Sequence, residues 1–206
     1  MTYDDLPQLL TLLTGDEKHD TSSYSTLDVL WVLFHRVLRP DDRFMLSKGH
    51  GPAAFYAVLA AHDLVPVEEL PRFGAFDSIL GYHPDRLLVP AAGISSGSLG
   101  HGLPIAVGSA LAGRRVYCLV GDAELDEGSN WEAVQYAGRI RLARLTVVVV
   151  DNRSGTHGWP GGVERRFELE GWSSRRVDGH DHDALEAAFA AAPDDRPHVV
   201  VAEVLR

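Results

Sequence analysis

Two uninterrupted apolar runs constrain the fold of this chain more than any other feature of its sequence. Residues 116–120 read Val-Tyr-Cys-Leu-Val, residues 145–150 read Leu-Thr-Val-Val-Val-Val, and an aspartate follows each run within two positions. Such runs are typical of strands buried on both faces of a parallel sheet. Helical spacing between them, opened by an expected capping box of Ser129 and Glu132, predicts a strand-helix-strand crossover.

A third apolar segment predicts a helix of unusual character. Apolar residues recur at helical spacing from Leu27 to Leu38, and Pro40 ends the pattern. Ser25 and Asp28 form an imperfect capping box at its start. The predicted helix is apolar on nearly every side, which favours burial on more than one side and suggests a subunit interface.

The remaining elements complete the predicted architecture. Further helices are predicted over residues 52–61, 103–111 and 183–192, and further strands over 43–46 and 199–204. This order indicates one domain over residues 1–206, an α/β fold with an open, mostly parallel sheet and helices on both faces. Ligands of such sheets bind beyond the carboxyl ends of the strands.

Composition excludes several classes of function. With 206 residues, 45% of them hydrophobic, the chain can bury a core without a disulfide or metal, and its single cysteine, Cys118, is expected to be buried and inert. The net charge of −10 disfavours nucleic acid as a partner. No apolar stretch has the length of a membrane span, and the amino terminus lacks a secretory pattern, so we expect no membrane association and a cytoplasmic location.

Polar residues follow both apolar runs at positions where a metal could bind. Asp122 comes after the first run and Asn152 after the second. Neighbouring parallel strands lie about 4.8 Å apart, so a carboxylate and an amide oxygen can meet at one point. Hard oxygen ligands favour Mg²⁺ or Ca²⁺, and Mg²⁺ keeps positions open for phosphate oxygens and water. A metal-bridged diphosphate is the expected ligand; the alternative, in which both residues only cap turns, stays open at this point.

A glycine-rich loop, Gly97-Ser98-Leu99-Gly100-His101-Gly102, precedes one of the predicted helices. Without side chains, backbone N–H groups can approach a diphosphate closely near the start of a helix. A tight turn that opens the helix accounts for the loop equally well. The pattern matches neither the Walker loop nor the dinucleotide fingerprint.

Together these motifs resemble the transketolase family over residues 19–204. Gly121-Asp122, with Asn152 thirty residues after the aspartate, resembles the family's thiamine-diphosphate motif, and the glycine-rich loop resembles another family segment. Three more stretches are similar to family segments: Arg43–His50, Gly81–Asp85 with an inserted Tyr82, and Val177–Asp181. Within the family the chain resembles the split form, in which the diphosphate-binding and pyrimidine-binding halves are separate polypeptides.

The resemblance implies thiamine diphosphate as cofactor, held through Mg²⁺, for which Ca²⁺ could substitute. The implied metal ligands are Asp122, Asn152 and the backbone carbonyl of Ser154. Cofactor contacts are implied for Gly97, Ser98, Leu99, Gly121, Asp122, Ala123, Glu124, Asn152, Ser154, His50 and His157. Catalytic roles, in proton transfer and hydroxyl recognition, are implied for His19, His50 and His83.

Three departures from the family pattern accompany the resemblance. Ala123 stands where the motif has glycine, which is costly if the backbone needs a positive φ and tolerated otherwise. The chain ends at Arg206, where family members continue toward another active-site histidine. The sequence contains one domain's pattern, whereas the family's activating glutamate comes from the pyrimidine-binding domain. A partner subunit is therefore expected, in a heterotetramer with two copies of each chain.

The resemblance implies a transferase, active only with that partner, that moves a two-carbon ketol unit from a ketose-type donor to a small-molecule acceptor. One alternative is a subunit of the first component of a 2-oxo acid dehydrogenase, which transfers an acyl group to a lipoyl or carrier thiol. The sequence around His50 and His83 favours the transketolase interpretation. A second alternative, favoured by Ala123, is a non-catalytic interaction module that retains the fold.

Overall fold

A computed structural model describes residues 1–15 and 24–204, and its centre is a parallel sheet. The strands are β1 (Arg43–Leu46), β2 (Val116–Gly121), β3 (Leu145–Asp151), β4 (Ser173–Asp178) and β5 (His198–Glu203). Their order in the sheet is β1-β2-β3-β5-β4, and every adjacent pair is parallel. The two apolar runs are the neighbouring central strands β2 and β3, as predicted.

Helices alternate with these strands along the chain. The α-helices are α1 (Leu6–Leu10), α2 (Leu27–Val32), α3 (Ala53–Ala61), α4 (Gly102–Leu111), α5 (Gly128–Arg139), α6 (Val163–Leu169) and α7 (His182–Ala190). Helix α2 continues as a π-helical turn over Leu33–Val37. Short 3₁₀ helices cover Tyr3–Asp5, Val67–Arg72, Pro90–Ala92 and Ala123–Asp126.

The sheet has a hydrophobic core on each face because successive side chains of a strand point to opposite sides. Tyr117 and Leu119 of β2 pack with α1, α2, α3 and α7. Cys118 and Val120 pack on the other face with α4, α5 and α6. The prediction of an α/β fold with helices on both faces is therefore confirmed. Burial also raises the pKa of the Cys118 thiol, which keeps it protonated and inert as expected.

Helix α2 is buried on every side within this chain, so its apolar character does not require a subunit interface. All six of its residues, Leu27–Val32, are buried, and the helix contacts α3 and α7 directly. The sequence correctly indicated burial on several sides, but α3 and α7 supply that burial. In the part of the chain that the structure describes, no helix combines the length and the apolar character that a membrane span needs.

Both predicted capping boxes are wrong. Helix α2 begins after Thr26 without a side-chain cap, and the Asp28 carboxylate instead accepts hydrogen bonds from Tyr3 and two histidines. Helix α5 begins at Gly128, and the Ser129 hydroxyl donates to the Gly100 carbonyl at 2.8 Å. In each case the side chain that was expected to cap the helix forms its hydrogen bonds with residues that are distant in sequence.

Among the α-helices and strands, three have no counterpart among the predicted ones: α1, β4 and α6. Strand β4 lies at the edge of the sheet, and its residues Ser173–Asp178 are partly buried or exposed rather than apolar and enclosed. Helix α6 precedes it and buries only Phe167. The Val177–Asp181 stretch, identified by its resemblance, spans the end of β4 and the turn into α7.

Candidate functional site

The candidate site lies where β2 and β3 end side by side. Gly121 pairs with Val150 in the register, and the Asp122 backbone N–H donates to the Val150 carbonyl at 3.1 Å. The parallel pairing therefore brings the residues that follow both strands to one edge of the sheet. This is the geometry that the two apolar runs predicted.

The three predicted metal ligands form one hydrogen-bonded cluster at this edge. Ser154 Oγ donates to Asp122 Oδ1 at 2.7 Å, and the Ser154 backbone N–H donates to Asn152 Oδ1 at 3.2 Å. The Gly155 N–H donates to Asp122 Oδ2 at 2.9 Å. Arg153 adopts a positive φ of 56°, which turns the chain so that Ser154 faces Asn152.

The donor set fits Mg²⁺ better than a softer metal. It offers a carboxylate, an amide oxygen and a backbone carbonyl, which are the hard oxygen donors that Mg²⁺ and Ca²⁺ prefer. Within residues 1–15 and 24–204, no group of three His, Cys, Asp or Glu side chains could hold a metal ion by itself. A metal at Asp122 would therefore use the amide and carbonyl oxygens as well, with oxygens from a ligand and water completing its shell, which is the usual situation of Mg²⁺ beside phosphates.

Ala123 occupies ordinary backbone space. It opens the 3₁₀ turn Ala123–Asp126, and it is absent from the non-glycine residues with a positive φ in the described chain. The alanine that replaces the motif's glycine therefore causes no backbone strain at this position. The condition under which alanine is tolerated at this position is met.

Glu124 is buried beneath the glycine-rich loop. Only 2% of its surface is exposed, and its carboxylate accepts hydrogen bonds from the N–H groups of Gly100 at 3.0 Å and Gly121 at 3.4 Å, and from the Ser47 hydroxyl. Burial raises the pKa of Glu124, against the effect of these hydrogen bonds. Its carboxylate holds the loop to the end of β2, so it acts on a ligand through the loop.

The glycine-rich loop needs its glycines. Gly97 has a φ of 125° and Gly100 a φ of 81°. A Cβ at Gly97 would lie 3.1 Å from the His83 ring, and one at Gly100 would lie 2.5 Å from Ser129 Oγ. The intervening Ser98 is exposed, Leu99 is half-buried, and α4 begins at Gly102, so the loop leads into a helix N-terminus. Both sequence interpretations, a tight turn and a close-approach segment, are compatible with this geometry.

His50 and His83 meet beside this loop. Their ring centroids lie 4.7 Å apart in an edge-to-face arrangement. The ring of the inserted Tyr82 packs edge-to-face on Phe73 at 5.3 Å and lies against Gly74. The structure thus brings together two of the three histidines predicted to be catalytic. The third, His19, lies outside the described residues.

The segment after β3 folds back toward β2 through a second aspartate, Asp126. Its carboxylate accepts hydrogen bonds from the N–H groups of Thr156 at 2.8 Å and His157 at 3.3 Å. The bond from Thr156 is the largest influence that lowers the pKa of Asp126. These bonds hold the segment that carries the exposed His157 side chain close to Asp122. Asp122 and His157 both line a cavity of about 650 Å³.

Lys48 is a residue of the site that sequence reasoning missed. Its side chain is almost completely buried, its alkyl part lies against Gly121, and its Nζ donates to the His50 carbonyl at 3.5 Å. Burial lowers the pKa of Lys48 to about 8, and the charges of Glu124 and Asp122 oppose that shift. Its sequence signal is the segment Ser47-Lys48-Gly49-His50, in which the lysine lies two residues before the predicted His50.

Comparison with known proteins places this architecture in a family. The family described as transketolase, thiamine diphosphate binding domain, matches residues 19–205. The chain is 48% identical over its whole length to Ferredoxin fas2 of Rhodococcoides fascians, of which it covers 73%. It is 32% identical, over 91% of its length, to one subunit of the apulose-4-phosphate transketolase of Actinobacillus succinogenes, and it covers 76% of that protein.

Solved structures agree in fold. The transketolase from Leishmania mexicana superposes with a TM-score of 0.81 over 98% of this chain, at 24% identity. A transketolase mutant from Pichia stipitis superposes with a TM-score of 0.75 over 91% of this chain, at 27% identity. This chain spans 36% of either of those proteins.

The sheet and the site define an α/β protein whose candidate site is at the carboxyl ends of parallel strands. With the family match over residues 19–205, the chain belongs to the transketolase family. The name ferredoxin of one relative describes a different chemistry, because cysteine thiolates hold iron–sulfur clusters. This chain has a single cysteine, Cys118, which is buried in β2 and provides no such ligand set.

Proposed function

We propose that this chain is the diphosphate-binding subunit of a heteromeric, cytoplasmic, transketolase-like enzyme that transfers a two-carbon ketol unit from a ketose-type donor to an acceptor. The observation that carries the proposal is the cluster of Asp122, Asn152 and Ser154 at the ends of β2 and β3. Membership of the transketolase family supports the reaction class.

The proposed cofactor is thiamine diphosphate with Mg²⁺, or Ca²⁺ in its place. Asp122 Oδ, Asn152 Oδ1 and the Ser154 carbonyl are the proposed protein ligands of the metal. When bound, thiamine diphosphate supplies the nucleophilic carbon that takes up the two-carbon unit. The charge of the diphosphate is compensated by the metal and by the buried Lys48 ammonium, whose neighbour Gly121 begins the motif.

The chain's own residues then have distinct proposed roles. Backbone groups of the loop from Gly97 through Ser98 and Leu99 approach the diphosphate, and Glu124 fixes that loop from below through Gly100 and Gly121. Ala123 contributes through its backbone. His157 covers the diphosphate from the segment after β3.

The histidine pair is the proposed proton-transfer group. The rings of His50 and His83 are in contact, and Gly97 of the loop proposed to bind the diphosphate lies against the His83 ring. Imidazole groups can donate and accept protons near neutral pH. We propose that they hold and move protons at the substrate hydroxyl and carbonyl oxygens. His19 is proposed for hydroxyl recognition from the sequence alone.

A partner chain is part of the proposal. The similar protein from Actinobacillus succinogenes is named as one subunit of its transketolase, which supports a division of the enzyme between polypeptides. We propose a pyrimidine-binding partner that supplies the activating glutamate, in a heterotetramer of two chains each. A neighbouring reading frame that encodes a pyrimidine-binding domain is the first candidate for co-expression.

The test is metal-dependent cofactor binding by the assembled complex. Calorimetry with Mg²⁺ and thiamine diphosphate should show binding to the wild type and to Asp194→Ala, an exposed aspartate away from the site, and none to Asp122→Ala. Unchanged affinity in Asp122→Ala would contradict the proposed site. Turnover with 2-oxo acids but not with ketose phosphates would contradict the proposed reaction.

A further inference from the structure

The cavity of about 650 Å³ beside Asp122 has a second wall that the proposed function does not use. Its lining extends from Asp122 and His157 to Trp131 on α5, Trp159 in the loop after β3, and Arg166 on α6. This wall is formed by α5, α6 and the loop after β3. The cavity is large enough for a small metabolite.

Arg166 is held in this cavity by two indole rings. Its Cζ lies over the Trp131 ring, 3.4 Å from the centroid, and over the Trp159 ring at 4.7 Å. Trp131 is itself fixed, because its Nε1 donates to the Leu125 carbonyl. Stacking against aromatic faces engages the plane of a guanidinium and leaves the N–H groups at its rim to bind in that plane.

The other arginines of the lining are neutralised by carboxylates. Arg176 pairs with Glu164 at 2.8 Å and with Asp151 at 2.9 Å, and Arg153 pairs with Glu203 at 3.3 Å. The lining aspartates Asp122 and Asp126 accept hydrogen bonds from the segment after β3, as described above.

Arg166 differs from these arginines. Among residues 1–15 and 24–204, no carboxylate forms an ion pair with it, and Glu170 acts on it only at longer range. Burial lowers the pKa of Arg166, yet an arginine remains charged at physiological pH. The cavity therefore contains a positioned positive charge that is not neutralised by a carboxylate of the described chain.

We propose that Arg166, stacked on Trp131 and Trp159, is a phosphate-binding residue of this cavity. A guanidinium rim matches phosphate oxygens bidentately, and the partly dehydrated setting against two indoles strengthens such a bond. The phosphate belongs either to a phosphorylated small molecule or to the diphosphate of the proposed cofactor, because the same cavity reaches Asp122. The inference extends beyond the proposed function, since phosphate binding by Arg166 needs neither the metal nor the partner chain.

Trp159 provides a direct measurement. It is 38% exposed, whereas Trp31, Trp131 and Trp172 are buried, so a ligand at Arg166 should change the solvent exposure and the fluorescence of this indole. We expect saturable changes when the chain is titrated without metal with inorganic phosphate and with a pentose 5-phosphate. Trp159→Phe should reduce the signal to the part that arises from Trp131, while phosphate binding persists in calorimetry.

Two arginine variants decide the assignment. Arg166→Gln should weaken phosphate binding about tenfold or more, which is the loss of one charged hydrogen-bonding partner. Arg165→Gln is the matched control, because Arg165 is exposed, is paired with Glu168 at 3.0 Å, and should leave binding unchanged. If Arg166→Gln does not fold, Arg166→Lys keeps the charge but loses the planar fork, and should still weaken binding.

Competition separates the two sources of phosphate. In the partner complex with Mg²⁺, displacement of the pentose phosphate by thiamine diphosphate assigns Arg166 to the diphosphate, and simultaneous binding of both assigns it to a second ligand. Equal phosphate affinity in wild type and in the folded Arg166 variant would overturn the proposal, as would an equal loss in Arg165→Gln. Loss of metal-dependent binding in Asp122→Ala is a separate result, so this inference and the proposed function can fail independently.

Discussion

Asp28 and Asp122 both accept several hydrogen bonds, but their donors come from different parts of the fold. Asp28 accepts from Tyr3 Oη at 2.6 Å, from His180 Nδ1 at 2.8 Å and from His182 Nε2 at 2.7 Å. These donors belong to the amino-terminal segment, to the turn after β4 and to the first residue of α7. The carboxylate therefore connects segments that are far apart in sequence.

The donors of Asp122 all come from one loop. Ser154 and Gly155 follow β3 directly, and Ser154 is exposed, so water can replace its hydroxyl. A cavity adjoins Asp122, whereas only 9% of the surface of Asp28 is exposed. The number of hydrogen bonds therefore does not identify a functional carboxylate. What separates the two is whether the donors hold the fold together and whether a ligand can reach the oxygens.

The largest expected effect is on stability, and it tests the comparison directly. Asp28→Ala should lower the free energy of unfolding by about 3 kcal/mol or more, because it leaves three partly buried donors without their charged acceptor. Asp122→Ala should lower it by less than about 1 kcal/mol, since its donors can turn to water. Urea denaturation of the two variants measures both values. Equal losses of stability would contradict the different structural roles assigned to Asp28 and Asp122.

We expect the next largest loss of stability in the glycine-rich loop, which Glu124 holds to the end of β2. Gly100→Ala should destabilise the chain by about 2 kcal/mol and weaken cofactor binding, because Gly100 has a positive φ and a methyl group would meet Ser129 and Glu127. Gly108→Ala is the matched control: nothing lies within 4 Å of its added Cβ, and it sits inside α4. There alanine should stabilise the helix by about 1 kcal/mol. A Gly100→Ala chain as stable as the wild type would show that the loop is not confined as described.

The contrast between the aspartates also explains what sequence reasoning could reach. Asp122 was predictable because it directly follows an apolar run, so its position depends only on the local sequence. Parallel pairing of the two strands then brings Asn152 beside it. The capping boxes at Ser25 and Ser129 failed because Asp28 and Ser129 take partners from distant segments. No local pattern contains that information.

Two further omissions have the same kind of cause. Strand β4 forms at an edge, where one side of the ladder is open and polar residues such as Arg175 are accommodated, so it lacks the apolar run that marked β2 and β3. Lys48 becomes special only because β1 pairs with β2 and places it beside Gly121 and Glu124. A lysine in a loop carries no sign of burial in its own sequence.

The pH dependence of stability should follow Asp28. Burial raises the pKa of Asp28, but hydrogen bonds from Tyr3, His182 and His180 outweigh it, so the pKa lies below the ordinary value. A lowered folded-state pKa stabilises the fold above the unfolded value of about 3.9, and that contribution is lost as the pH falls toward the folded value. Wild type should therefore exceed Asp28→Asn in stability at pH 7, and the gap should narrow below about pH 4.

Urea midpoints of the wild type and of Asp28→Asn, from pH 7 to below about pH 4, measure this difference in stability. The other carboxylates are common to the two proteins, so below about pH 4 the difference reports the titration of Asp28. A gap that widens as the pH falls below about 4 would contradict the lowered pKa of Asp28. Asp122→Asn serves as the second comparison, and its stability gap at pH 7 should be the smaller one, since its donors are replaceable by water.

We expect the smallest changes in stability and cofactor affinity at Ala123, which follows Asp122 and departs most clearly from the family pattern. Ala123→Gly should destabilise the chain by less than about 1 kcal/mol, because Ala123 opens a short helical turn without a positive φ. Cofactor affinity of the complex, measured by calorimetry, should change less than about threefold, since the backbone that the motif needs is already in place. A gain in affinity of tenfold or more would mean that the methyl group obstructs the site, and would revive the interpretation of this chain as an interaction module that has lost its chemistry. An unchanged affinity removes the sequence argument for that module, because the departure at Ala123 then costs the site nothing that glycine would restore.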